Sequence, residues 1–291
     1  MMKFFKYLIQ AIFIYFFIIT IKLLGLNFSK KIFIFIFRSF GNFFRSKKII
    51  INNLGLINKT LSEKDKMVII NNMWKNYAST FVEYFFLNKY RKNNDHISIK
   101  GEDKLKSLKD KKEQVIFISG HFSNFELMSM ELTKRKIDIA TIYRPLNNYF
   151  LNPIMEYYRR KYVCNTQIKK GLPGVKDAIR HFKNGKSIAL MVDQRVSEGE
   201  SLPFFNKQAL TTTLPAQLAL RFKCNIIPIY LTRNENKFEM EILSPIIITD
   251  FNVSKNDEEN KRKLSLKINA IMEKLVLRKP SEWILTHNRW K

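Results

Sequence analysis

In "GHFSNFE", His121 and Glu126 have four residues between them and follow an apolar, β-branched run, "VIFIS". A histidine that titrates near neutrality can take a proton from a hydroxyl. It then needs a carboxylate or carbonyl to fix its tautomer and to steady the imidazolium. A carboxylate on the first helical turn beyond the loop is expected to reach back and do this, as in a His–carboxylate pair. The same residues also read another way. Ser123-Asn124-Phe125-Glu126 is an S-x-x-E capping box, in which Glu126 satisfies a backbone N–H and Ser123 starts the helix. Spacing alone leaves both readings open.

Such a pair needs a frame. From His96 the chain alternates between short apolar runs and helix-period segments. "ISIKG", "QVIFIS", "IDIATIY", "SIALMVD" and "NIIPIYLTR" read as strands, and "KFEMEIL" as an antiparallel one. Helices are expected over Asn124 to Lys136, Tyr149 to Tyr162, "PGVKDAIRHFKNG", Thr213 to Lys223 and Lys255 to Leu277. The alternation predicts an α/β fold, with a mixed, mostly parallel central sheet flanked by helices. Continuous apolar strands fit burial on both faces. Open sheets of this kind place ligands beyond the carboxyl ends of their strands. Three strands end in polar residues: Gly120-His121, Arg144, and Asp193-Gln194. These are the site candidates, with Arg159 on the helix between the second and third.

Ahead of the sheet, Tyr7 to Leu26 is apolar apart from Gln10 and Lys22, about the 20 residues that a bilayer span needs. No small-x-small cleavage site follows, so a retained anchor is expected. Ile32 to Phe44 is aromatic and flanked by Lys30, Lys31, Arg45, Lys47 and Lys48, which suits a segment at a membrane interface. A buried core helix is the competing reading. The denser basic set after the span predicts a cytoplasmic catalytic part. "TLSEKDKMVIINNMWKNYASTFVEYFFL" reads as a long helix capped by Ser62 and Asp65, with Glu83 solvated or paired among aromatics. The expected organisation is an anchor and interfacial segment over residues 1–50, a helical segment over 51–95, and the α/β domain over 96–291.

Among the 291 residues, Lys plus Arg is 51 and Asp plus Glu is 25, a net charge of +26. That points to an acidic partner or an anionic surface. The charge is spread and no nucleic-acid-binding motif accompanies it, so no nucleic acid is expected. Cys164 and Cys224 match no metal-ligand or CxxC spacing, and no metal is expected. His181 lies in a Lys-rich helix and reads as exposed.

The ordered blocks of the chain resemble the bacterial lipid A acyltransferase family, the late lauroyl/myristoyl-type enzymes. "GHFSNFE" is similar to the family's G-H-x-G-N-W-E block, an H-x4-D/E acyltransferase motif. "YRPLNN", "YYRRKY", "MVDQR…LPFFNKQALTTTLPAQLALRFKCNIIPIY" and "WILTHNRWK" resemble its later blocks in order. Ser123 stands where the family has glycine, Phe125 where it has tryptophan, and Asn206 where it has the glycine after Phe-Phe. The resemblance implies acyl transfer from an acyl-carrier-protein thioester, as co-substrate, to a hydroxyl of a Kdo-bearing lipid A precursor, without a further cofactor. It implies His121 as general base oriented by Glu126. Arg144 and Arg159 then bind precursor phosphate or stabilise the oxyanion, and Asp193 and Gln194 shape the site. The implied partners are an acyl carrier protein, the lipid A precursor and anionic lipid of the cell inner membrane. The rival enzyme class is a glycerolipid acyltransferase, which would carry an E-G-T-R-like block where this chain reads "VDQR". His287 and Arg289, in the closing block, read as contacts to substrate or headgroup, or as part of a docked C-terminal segment.

Overall fold

The structure, a computed structural model, describes residues 2–251 and 257–291. Helices come first: α1 (Met2–Leu24), α2 (Leu26–Phe44), α3 (Lys47–Ile57), α4 (Glu63–Tyr84) and α5 (Leu87–Lys92). Strands and helices then alternate through β1 (Ile97–Lys100), α6 (Glu102–Asp110), β2 (Ile116–Ser119), α7 (Glu126–Lys134) and β3 (Ile139–Tyr143). Next come α8 (Asn152–Tyr158), which runs on as a π-helical turn over Arg159–Val163, β4 (Gln167–Lys169), α9 (Leu172–Lys183) and β5 (Ser187–Met191). A hairpin of β6 (Glu200–Phe204) and β7 (Lys207–Thr211) precedes α10 (Leu214–Phe222), β8 (Ile226–Asn234), β9 (Lys237–Ile242) and α11 (Asp257–Arg278). The expected start of that last helix, at Lys255, lies outside the described residues.

The main sheet has seven strands in the order β1-β9-β8-β2-β5-β3-β4. Every neighbouring pair is parallel except β8 and β9, which run antiparallel as "KFEMEIL" predicts. The central strand β2 is buried along its whole length. Its Ile116 and Ile118 join one core cluster and Phe117 the other, so the two faces of the sheet each have a core. Burying each such side chain contributes about 1.5–3 kcal/mol, which explains the unbroken apolar runs.

The helical segment before the sheet shares this core. Ser62 caps α4, its Oγ accepting from the Asp65 N–H at 3.1 Å. Ile70, Met73 and Trp74 of α4 lie in the same cluster as Ile116 and Ile188. Helix α2 lies on α4, with Phe33 buried and Phe37 packed edge-on to Trp74. Its outer face keeps Phe35, Phe40 and Phe43 exposed. Lys30, expected among the basic residues at the membrane surface, is instead buried and pairs with Glu83 at 2.6 Å. The cause is local: Glu83 lies inside the bundle and needs cations there. His181, expected to be exposed, is buried on the inner side of α9.

Helix α1 is long and apolar enough to cross a membrane. Phe5, Ile9, Ile12, Phe16 and Ile19 form an exposed stripe at helical spacing. Another face meets the loop after β3: Tyr15 donates to the Phe150 carbonyl at 3.0 Å, and Asn148 Nδ2 donates to the Tyr7 carbonyl at 2.9 Å.

Candidate active site

Parallel pairing of β2 with β5 sets the centre of the site. Ser119 lies opposite Met191, so the chains leave the sheet side by side and bring His121 next to Asp193. The His121 backbone N–H donates to Asp193 Oδ2 at 2.8 Å, and the ring Nδ1 sits 2.7 Å from Oδ1. The Trp283 indole donates to Oδ2, also at 2.8 Å. Burial raises the Asp193 carboxyl. The His121 charge and these donors outweigh it and hold the pKa below the usual carboxylate range. Asp193 is therefore an anion that only accepts, so in the neutral ring His121 Nδ1 carries the proton and Nε2 keeps a lone pair.

Glu126 does not orient His121. Its Oε1 accepts from Arg159 Nε at 2.8 Å and from Nη2 at 2.6 Å. The expected His121–Glu126 pair is thus replaced by His121–Asp193 and Glu126–Arg159. The reason lies in the turn. Helix α7 begins at Glu126, and its first turn faces the π-helical segment that carries Arg159. Asp193, expected among the substrate-binding residues, is buried behind His121 and holds the His121 ring, the His121 backbone N–H and the Trp283 indole.

The capping reading fails too. Ser123 does not start the helix and caps nothing; it has φ 47°, in the left-handed region. The turn is fixed from outside. Ser123 N–H donates to the Glu282 carbonyl at 3.0 Å, Thr80 Oγ1 donates to the Ser123 carbonyl at 3.2 Å, and Asn124 Nδ2 donates to Glu83 Oε2 at 3.1 Å. At Gly120 a Cβ would meet the Phe122 ring at 2.6 Å, so the approach to His121 needs glycine. The Ser123 hydroxyl is buried without a partner. Ser123→Gly should therefore raise the unfolding midpoint. Relief of left-handed strain and of the orphan hydroxyl outweighs the added freedom of the unfolded chain, for a net gain of about 1 kcal/mol. Thermal unfolding of the two proteins measures this.

The His121 ring opens onto a cavity of about 280 Å³ over the carboxyl ends of β2, β5 and β3. Arg144 and Gln194 lie on its wall as the strand-end reading expects, and so do Arg159, Glu126, Arg195 and His287. Ile142, Val163, Leu190, Met191, Val196 and Leu214 give it an apolar part. Arg144 is exposed at this wall. Among the described residues no group of three His, Cys, Asp or Glu side chains is placed to hold a metal ion. Both cysteines are buried away from the cavity, and burial pushes the Cys224 thiol up to about 12.

The closing block divides. His287 reaches the cavity wall. Arg289 does not: it is fully buried, donating to the Leu210 carbonyl and the Thr211 hydroxyl, each at 2.7 Å. Trp283 is the residue that sequence reasoning passed over. Its tryptophan–histidine block was visible, but its contact with Asp193 depends on the fold.

A family model described as bacterial lipid A biosynthesis acyltransferase matches residues 2–291. No curated protein matches the chain. Among solved structures, the 1-acyl-sn-glycerophosphate (LPA) acyltransferase PlsC from Thermotoga maritima is similar at 13% identity and a TM-score of 0.37, over 84% of this chain and 98% of that one.

Proposed function

Since the chain belongs to the bacterial lipid A biosynthesis acyltransferase family and is an acyltransferase, we propose that it transfers a fatty acyl chain from an acyl-carrier-protein thioester to a hydroxyl of a Kdo-bearing lipid A precursor. The observation that carries the chemistry is the His121–Asp193 contact, which leaves His121 Nε2 as a base facing the cavity. Nε2 takes the proton of the acceptor hydroxyl as its oxygen attacks the thioester carbonyl carbon. The C=O electron pair moves onto the carbonyl oxygen. When it returns, the C–S bond breaks and the thiolate takes the proton back from the imidazolium. The products are an ester and a free thiol. Asp193 stays ionised and steadies the imidazolium throughout.

Arg144 suits a phosphate or carboxylate of the precursor, because a guanidinium binds either in a bidentate way. Arg159 is held by Glu126, so Glu126 supports the site by positioning that arginine. Gln194 offers an amide at the wall. The apolar residues suit the start of an acyl chain. The exposed stripe of α1 supports attachment to a membrane, with the inner membrane and its cytoplasmic face as the expected place.

The test is direct. Purified protein is incubated with an acyl-acyl-carrier protein and either the Kdo-bearing lipid A precursor or a lysophosphatidic acid, and the products are weighed by mass spectrometry. One added acyl mass on the lipid A precursor is expected, and none on the lysophospholipid. Acylation of the lysophospholipid alone would falsify the acceptor assignment.

A further inference from the structure

His287 is a second imidazole in the cavity wall, and the base step leaves it unused. Its Nε2 accepts the backbone N–H of Arg195 at 3.0 Å. A backbone amide only donates, so Nε2 carries no proton and the ring is neutral with its hydrogen on Nδ1. Nδ1 is not among the sealed, unpartnered buried atoms, and no protein acceptor takes it among the described residues. Burial pulls the ring's pKa down to about 4, against the attraction of the Asp193 carboxylate, so it stays neutral at working pH.

The ring is also held in place. Asn53 Nδ2 donates to the Leu285 carbonyl at 2.9 Å and to the His287 carbonyl at 2.8 Å, and Trp283, earlier in the same segment, is tied to Asp193. Arg195, which fixes the ring, follows Asp193 by two positions. The same loop therefore sets both imidazoles. Arg159, another donor on this wall, has Nε and Nη2 committed to Glu126.

A neutral donor with a fixed tautomer, in a part-buried wall, meets the need of an oxygen that gains charge only during reaction. It costs no reorganisation when the charge appears. We propose that His287 is a catalytic hydrogen-bond donor: its Nδ1–H binds the thioester carbonyl oxygen as that oxygen takes the C=O electron pair, while His121 acts on the attacking hydroxyl. This rests on the thioester-to-hydroxyl reading above.

Asparagine and glutamine separate the two ring nitrogens. An Asn amide nitrogen falls where His Nδ1 lay; a Gln amide reaches the position of Nε2. Transfer from acyl-acyl-carrier protein to the Kdo-bearing precursor is followed by thiol release for wild type, His287→Ala, His287→Asn, His287→Gln and His121→Ala, with circular dichroism to check folding. His287→Ala should lower kcat about 100-fold with KM within a factor of about two, because an oxyanion donor acts in the transition state. His287→Asn should recover about tenfold or more of that loss, and His287→Gln should stay near the alanine level. Wild-type kcat in His287→Ala, or equal rates in the Asn and Gln variants, overturns the assignment. If the alanine variant fails to fold, the Asn–Gln comparison decides. Transfer by His121→Ala overturns the base reading instead, and the two failures are distinct.

Discussion

Asp193→Asn should leave the protein folded and lower its transfer rate about 10⁴-fold, the scale seen when a base histidine is held in the wrong tautomer. The contacts predict which way the amide turns. Oδ2 accepts from two fixed donors, the His121 backbone N–H and the Trp283 indole. The carbonyl oxygen of asparagine must take that place. Its NH2 then faces His121 Nδ1 and forces the ring proton onto Nε2, where the lone pair is needed. Glu126→Gln should lose far less, because its side-chain oxygen still accepts from Arg159. Initial rates of thiol release check both. An inactive Glu126→Gln beside an active Asp193→Asn would return the orienting role to Glu126.

Removing Glu83 should cost the most stability. Its carboxylate pairs with Lys30, accepts from Arg233 Nη2 at 2.9 Å and from Asn124 Nδ2 at 3.1 Å, and is fully buried. Glu83→Gln leaves Arg233 and Lys30 buried without their counter-ion, a change worth about 3–5 kcal/mol. That is a large share of the roughly 5–15 kcal/mol of a typical fold. Chemical denaturation checks it. Adding Arg233→Met to Glu83→Gln should cost less than the sum of the single changes, since the two share one contact. Acid should act through the same group. Burial raises the Glu83 carboxyl, but Arg233 and Lys30 outweigh it and hold the pKa below the usual range. A carboxyl depressed in the folded state binds protons more weakly there than in the unfolded chain. Its contribution is complete above the unfolded value, about 4.3, and is lost as pH falls through the folded one.

Most of the elements were legible because apolar periodicity and strand length decide them locally, although β4, β6 and β7 were not among them. The antiparallel last strand and the Ser62 cap follow from the same signals. The pairing of side chains was not legible in this way. Ser62 and Ser123 carry the same local pattern, yet only Ser62 caps. At Ser123 the backbone is set by Thr80 and Glu282, which are distant in sequence. His121 could be seen to lie at a strand end, as could Asp193. That they are neighbours depends on β5 lying beside β2, and strand order is a property of the whole sheet. The β6–β7 hairpin was missed because Phe205-Asn206 is not a common pair for a turn with both φ angles positive, 51° and 57°. Lys30 misled because a basic residue beside an aromatic helix reads as a membrane flank until its buried partner, Glu83, is known.

The most direct measurement of the His121–Asp193 base is the product mass after incubating the Kdo-bearing lipid A precursor with an acyl-acyl-carrier protein and either wild-type enzyme or folded His121→Ala. Wild type should add the acyl mass and release a matching amount of free thiol, and His121→Ala should do neither. Acylation by His121→Ala at a rate near wild type would contradict the account.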